Sequence, residues 1–292
     1  MEINYLKKYK KIMVIGHNKP DPDSMISSKL MADILSDAGI NASYAILEKD
    51  LQDLEVKKVV KDCLDYQPFV IKEKDIPNYK YFLVDHNDIS QSINNKTLVV
   101  GAVDHHPDSK SINNAIFMEV CSTAIGIYLL FKGKYKFNEI QKQQIYHATL
   151  ADSSYGYNSR YKDSDKEVIR ELGFNPDFSD AFLKYFTPTN LTDKEIAFTT
   201  ANHKNYLFGD IKFESTIIEA LDFVLLEEYK IFIKNGTKNL LGIWVDYNHN
   251  KTYMFFKYND LYFEKKYDII ASRSIIILKN ALEFLERNGL NV

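Results

Sequence analysis

His17, Asp21 and Asp23 sit close together in Gly16-His17-Asn18-Lys19-Pro20-Asp21-Pro22-Asp23-Ser24, so one loop can aim an imidazole and two carboxylates into one space. Two later segments have the same makeup, Leu83-Val84-Asp85-His86-Asn87 and Val103-Asp104-His105-His106. Asp152, in Leu150-Ala151-Asp152-Ser153, offers a further carboxylate. A lone Asp after a strand is ordinarily a turn or cap residue. Side by side, so many carboxylates repel one another, and bound cations are the simple remedy. Oxygen ligands with a minority of imidazoles and no thiolate suit Mn2+, Mg2+ or Co2+ better than a structural Zn2+. Two such ions would activate a water and clamp a phosphoryl group.

The clusters can meet only if the right elements precede them. Lys11–Gly16 is a short apolar run that reads as a buried strand. Ser24–Ala38 carries a helical pattern stopped by Gly39, and Ala42–Leu47 reads as the next strand. Leu51–Leu64 reads as a helix and Phe69–Ile71 as a short strand. Tyr81–Asp85 and Thr97–Asp104 are apolar runs that end abruptly in acid and imidazole. Thr123–Lys132, Asn138–Leu150 and Asp165–Leu172 read as helices. This alternation implies a parallel α/β sheet, whose ligands sit at the carboxyl ends of the strands. Pro20 and Pro22 push Lys19 and Asp21 out of helical conformation, and Asp23 or Ser24 is expected to cap the helix that follows.

Phe186–Leu191, with Pro188 and Asn190, reads as a linker. Beyond it the pattern becomes α+β: a helix over Thr192–His203, a hairpin around Gly209-Asp210 and a helix over Ala220–Lys234. Leu241–Tyr247 and Thr252–Tyr258 form a further hairpin. Two domains are expected, residues 1–187 and 192–292. The 292-residue length suffices for two cores, and the 45% hydrophobic and 26% charged fractions fit a globular, water-soluble protein. A net charge of -3 argues against a general nucleic-acid binder. Cys63 and Cys121 lack metal-type spacing and read as buried thiols rather than a secreted disulfide scaffold. The amino terminus lacks a signal-peptide run and no window reaches the apolar length of a membrane span, so a cytoplasmic protein is expected.

Gly-His-x-x-Pro-Asp-x-Asp-Ser, Leu-Val-Asp-His-Asn and Asp-His-His, in this order, resemble the DHH phosphoesterases, and the manganese-dependent (family II) inorganic pyrophosphatases in particular. His17 stands where the related exopolyphosphatases commonly carry Asn, and Gln91-Ser92-Ile93 extends the match. The resemblance implies a parallel-sheet α/β domain followed by a smaller α+β domain of the DHHA2 type, with the active site in the cleft between them. It implies two divalent ions, Mn2+ first, with Co2+ or Mg2+ as alternatives. His17 and Asp21 would hold one ion, Asp23, His105 and Asp152 the other, and Asp85 would bridge both. Asp104 would hold an imidazole in its ligating orientation. His106 would face the substrate, joined by Lys204 and Arg273 from the second domain. The implied partner is a small phosphorylated molecule, pyrophosphate or polyphosphate, with a homodimer allowed for and neither membrane nor nucleic acid expected.

Charge supports the need for those cations. Asp21, Asp23, Asp85 and Asp152 roughly cancel two divalent ions, so a pyrophosphate of charge about -3 to -4 finds little net attraction there. The chain departs from the family at several places, with Pro107 where Arg is common and Pro22 where Thr is common. It reads Ser272-Arg273-Ser274-Ile275 where the pyrophosphatases have Ser-Arg-Lys-Lys, so Ser274 replaces an expected substrate lysine. Hydrolysis of pyrophosphate is the leading expectation. Exopolyphosphatase or nucleotide phosphoesterase activity of the same superfamily is the alternative, and a non-catalytic phosphate-ligand module is a third. His86 reads equally as a support of the metal site or a spectator, His147 as packing or surface, and His203 and His249 as surface residues.

Overall fold

The computed structural model describes the chain except for residues 1, 52–56, 58, 62, 107–111, 113, 159, 179–190, 192, 202, 209, 222–223, 272 and 291–292, and the side chains of residues 195, 200, 274 and 275. It forms two units, Met1–Gly156 with Arg160–Ser179, and Tyr157–Ser159 with Asp180–Val292. Half of the expected helix Leu51–Leu64 falls outside the described residues, while Lys57, Val59, Val60 and Lys61 within it are helical, and most of the Phe186–Leu191 linker also falls outside.

In the first unit, β1 (Ile12–Ile15), β2 (Ala42–Leu47), β3 (Phe69–Ile71), β4 (Lys80–Val84), β5 (Val99–Asp104) and β6 (Ala115–Phe117) form one sheet in the order β3-β2-β1-β4-β5-β6. Every pairing in it is parallel. All four residues of β1 are buried, as a central parallel strand covered on both faces requires. Helices α1 (Pro22–Asp37), α2 (Thr123–Phe131), α3 (Glu139–Asp152) and α4 (Asp163–Glu171) complete the unit. The chain winds one way from β1 to β3 and the other way from β4 to β6. The direction of winding therefore reverses between the neighbours β1 and β4, the place where open α/β sheets bind ligands.

The start of α1 differs from expectation. Asp21, not Asp23 or Ser24, is the N-cap and accepts from the Ser24 N–H at 3.0 Å. Pro22 then takes the first helical position, where its missing N–H costs nothing. Lys19 adopts a left-handed φ of 51° rather than an extended one, and its N–H is held by Asp50 Oδ1 at 3.2 Å. Asp23 thereby lies inside the first turn, fully buried. The α3 helix runs two residues past its expected end, so Asp152 is its last residue.

In the second unit a five-stranded mixed sheet has the order β11-β10-β9-β8-β7, from β7 (Lys204–Phe208), β8 (Ile211–Ala220), β9 (Leu240–Asp246), β10 (Lys251–Tyr258) and β11 (Leu261–Tyr267). β8 and β9 are parallel and the other pairs antiparallel. Helices α5 (Lys194–Thr200), α6 (Leu226–Asn235) and α7 (Leu278–Arg287) accompany it. The expected Ala220–Lys234 helix starts later, at Leu226, because Ala220 still belongs to β8 and pairs with Asp246. Tyr229 ties α6 to the sheet, its hydroxyl donating to the Thr216 carbonyl and accepting from the Ile243 N–H.

Candidate metal centre

The reversal point gathers the acid and imidazole residues because β1, β4 and β5 end at one edge of the sheet. Gly16 follows β1 and admits no side chain: a Cβ there would lie 1.8 Å from Ser24 Oγ. That closeness lets Ser24 Oγ accept the His17 N–H at 3.1 Å and fold the loop back. The His17 ring places Nδ1 2.9 Å from the Asn18 carbonyl and turns Nε2 toward Asp21 Oδ2 (3.5 Å) and Asp85 Oδ2 (3.3 Å).

Asp85 follows β4 with φ at 60°, the left-handed region that costs a non-glycine residue about 1–2 kcal/mol. Its N–H donates to the Val103 carbonyl of β5 at 3.1 Å, which helps hold the strained position. Oδ1 accepts from Thr123 Oγ1 at 3.2 Å and lies 3.2 Å from His105 Nε2. Oδ2 is buried and makes no hydrogen bond. A buried carboxylate oxygen without a partner is costly unless a cation faces it.

Three groups of donor atoms close enough to share an ion occur here: His17, Asp21 and Asp85; Asp23, Asp85, His105 and Asp152; and Asp85, Asp104, His105 and His106. Asp85 belongs to all three. The first two groups bring together residues that the sequence singled out as candidate ligands, and their donor chemistry fits hard divalent ions. His17 and His105 both turn Nε2 inward, and Asp152 Oδ2 lies 3.2 Å from His105 Nε2. Asp23 is fixed by the start of α2: Oδ2 accepts the Thr123 N–H at 2.7 Å and Oδ1 the Ala124 N–H at 3.0 Å. The positive end of that helix suits a carboxylate.

The electrostatics divide the carboxyls of the cluster. Burial and the charges of Asp85 and Asp21 push the Asp23 carboxyl well above the ordinary range. Burial, with Asp23, Asp21 and Asp85, does the same to Asp152. Asp85 goes the other way: burial raises it, but the imidazoles of His105 and His17 beside its two oxygens prevail and hold it well below the usual range. His17 is pushed down by burial, yet the Asp21 and Asp85 carboxylates outweigh this and hold it well above an ordinary imidazole. Cations in the cluster would let every carboxylate ionise.

Asp104 meets the ring of His106 rather than that of His105. Its Oδ1 lies 3.0 Å from His106 Nδ1 and accepts the backbone N–H groups of His105 and His106. Asn87 donates to its other oxygen at 2.6 Å. The Nδ1 of His105 faces the Val120 carbonyl at 3.2 Å instead. His86 is buried and kept neutral, pushed down to about 4 by burial. It joins the Val84 carbonyl through Nδ1 and Ser92 Oγ through Nε2, each at 2.8 Å, so it braces the loop and leaves the cluster to others.

Two contributors were not legible in the sequence. Thr123 reaches Asp85 from α2, and Arg160 lies against His105, its Nη2 2.6 Å from Nδ1. Neither belongs to a motif or to a strand end. In the second unit, Lys204 opens β7 and is exposed. Arg273 opens a one-turn π-helix, Arg273–Ile277, ahead of α7, a local geometry that recurs at functional sites. Burial raises the nearby Glu219 carboxyl, while a hydrogen bond from Tyr247 (2.7 Å) and the Arg273 charge hold it back. His249 is half-exposed and its Nδ1 lies 2.7 Å from Asp246 Oδ2, and His203 Nε2 lies 3.5 Å from Glu214. Cys121 is buried and Cys63 only partly so, both without disulfides.

A parallel sheet with an Asp-His cluster at its reversal point defines the class, and sequence comparison agrees. Residues 11–155 match the DHH family, N-terminal domain. Those residues lie within the first unit, which is thus a DHH-family N-terminal domain. Among solved structures, a Methanococcus jannaschii protein taken to be a family II inorganic pyrophosphatase is similar over 93% of this chain and 98% of its own, with a TM-score of 0.63 and 17% identity. That likeness extends the shared fold to the second, smaller sheet domain. An exopolyphosphatase-related protein from Bacteroides fragilis is similar over 97% of this chain and 95% of its own, with a TM-score of 0.49 and 14% identity. No curated protein matches the chain in sequence. Among the described residues, no helix is long and apolar enough to cross a membrane.

Proposed function

We propose that the protein is a two-metal phosphohydrolase that cleaves phosphoanhydride bonds, with inorganic pyrophosphate as its substrate and Mn2+ as its ion. The observation that carries this reading is Asp85. One of its oxygens faces His17, the other faces His105, and the oxygen facing His17 is buried without a hydrogen bond. A carboxylate so placed suits a bridge between two ions, His17 and Asp21 holding one and Asp23, His105 and Asp152 the other. When bound, such ions would acidify a water and offset charge on the phosphoryl oxygens.

The protein's own groups would do the rest. Asp104 orients the His106 ring through Nδ1, which leaves Nε2 to face the substrate, where the doubly protonated ring would donate to a phosphate or leaving-group oxygen. The ring is about one-third exposed, 36%, enough for a ligand to reach it. In this reading residues 1–187 form the metal-binding domain and residues 192–292 a DHHA2-type substrate domain. Lys204 and Arg273 supply the latter's phosphate contacts, Arg273 in bidentate fashion. Replacing either by Ala is expected to lower kcat/KM about tenfold or more, the worth of one charged contact. Metal affinity should stay as it was. Loss of metal binding in these variants, followed by calorimetry, would contradict the division of labour.

Ser274 supports a second reading, in which the missing lysine makes room for a longer or esterified phosphate. The deciding experiment is phosphate release from pyrophosphate, tripolyphosphate, long polyphosphate and nucleotides, with Mn2+, Co2+ and Mg2+. Pyrophosphate is expected to lead the panel with Mn2+. Ser274→Lys should raise kcat/KM for pyrophosphate, since an added charge on the transferring group strengthens transition-state binding. If a longer phosphate is the true substrate, that variant should lose activity on it. No phosphate release from any member with any ion would sink the hydrolase reading.

A further inference from the structure

Thr252 is the polar member of an apolar row. On β10 it shares a face with Met254, Phe256 and Tyr258, all three in the core of the second unit. A valine would fill the same space, so the hydroxyl is what sets Thr252 apart. Thr252 is fully buried, and a buried hydroxyl is costly unless it is bonded. Both of its bonds go to one loop. Oγ1 donates to the Ile269 carbonyl at 3.0 Å and accepts the Ala271 N–H at 2.9 Å. Ala271 is itself buried, so its N–H depends on this acceptor.

That loop leads to Arg273. On the far side, the one-turn π-helix Arg273–Ile277 ends in buried Ile277, and α7 sets Ala281 and Leu285 into the same core. Arg273 is therefore held between two fixed points, the Thr252 bonds before it and the Ile277 packing after it. Its charge acts on Glu219 near the end of β8, whose carboxyl accepts from Tyr247 just past β9. The guanidinium thus belongs to the edge where β8 and β9 end and β10 begins.

We propose that Thr252 is the positioning residue of Arg273, its hydroxyl setting the backbone from which the guanidinium reaches a phosphate. This rests on the phosphate contact proposed above for Arg273. A bidentate contact depends on the direction of the planar fork as much as on its charge. A displacement of about 1 Å at such a group can cost up to about a hundredfold in rate. Ser274 offers no second cation beside it, so the placement of Arg273 matters the more.

The test measures hydrolysis of pyrophosphate and tripolyphosphate with Mn2+ in wild type, Thr252→Val, Thr252→Ser, Arg273→Ala and the double variant Thr252→Val/Arg273→Ala. Thr252→Val keeps the shape and removes both bonds. It is expected to lower kcat/KM about tenfold, with Mn2+ affinity as in wild type. Thr252→Ser, which keeps the hydroxyl, should recover most of the activity. In the double variant Thr252→Val should add nothing to the loss from Arg273→Ala, because there is no guanidinium left to place. Hydrogen exchange at the Ala271 amide should be fast in Thr252→Val and slow in Thr252→Ser. Should Thr252→Val not fold, Thr252→Cys, of similar size with a weak donor and acceptor, enters the same cycle. Wild-type kcat/KM in the folded variant overturns the proposal, and so do losses that multiply in the double variant. If Arg273→Ala itself keeps wild-type kcat/KM, the phosphate contact fails first and the positioning role falls with it.

Discussion

Asp85→Asn is expected to cost at least about a thousandfold in kcat/KM, equivalent to about 4 kcal/mol of transition-state stabilisation. Asp85 is the member common to all three donor groups, and its Oδ2 is buried without a hydrogen bond. An amide keeps the shape but removes the charge, and its NH2 would present protons to His17 Nε2 or His105 Nε2, the atoms that should face ions. The fold should survive. The backbone position depends on the bond from the Asp85 N–H to the Val103 carbonyl, which the substitution leaves intact. Steady-state kinetics alongside a thermal melt separate the two effects. Near-normal turnover in a folded Asp85→Asn protein would remove the two-metal mechanism.

Metal uptake is expected to be strongly proton-linked. Asp23 and Asp152 are held well above the ordinary carboxylate range, by burial first and then by neighbouring carboxylates, and His17 is held above an ordinary imidazole by Asp21 and Asp85. Each must give up its proton before it can ligate an ion. As pH falls through these raised values, protons compete with the ion and affinity drops. As pH rises past them, affinity levels off. Asp85, held below the usual range, is already ionised and adds nothing to the linkage in this window. The decline should therefore begin well above pH 4, where ordinary carboxylates start to protonate. Calorimetry in two buffers of different ionisation enthalpy should record proton release as the two ions bind. Chelation should abolish turnover, and at about a hundred times its Kd each ion should add about 2.7 kcal/mol to stability. Metal binding without proton release would show that the raised carboxyls are not ligands.

Strands β1 to β5 and helices α1 to α4 of the first unit were legible because their signals are local, whereas the three-residue edge strand β6 (Ala115–Phe117) was not. Val84 running into Asp85, or Val103 into Asp104 and His105, is a change of chemistry over two or three residues. The resemblance of those segments to the DHH motifs rests on the same short runs. Cap geometry was less legible, since Asp21, Asp23 and Ser24 are all good caps and only the placement of Pro22 at the first helical position decides among them. The later start of α6 has a similar origin. Ala220 suits a helix by itself, but its pairing with Asp246 keeps it in the sheet.

What the sequence by itself determined is which residues could carry chemistry and that parallel strands would present them at one edge. The tertiary structure decided which of them meet. β1 and β4 are neighbours although β2 and β3 lie between them in the chain, and that adjacency alone brings His17 to Asp85. Thr123 and Ala124 hold Asp23 across about a hundred residues of chain, and Arg160 meets His105 across fifty-five. It also turned Asp104 to His106 and left the Val120 carbonyl to His105. Periodicity, turn chemistry and motifs act within a few residues, whereas side-chain convergence depends on strand order and on helix ends supplied from far along the chain. Those distant partners leave no mark on the local sequence.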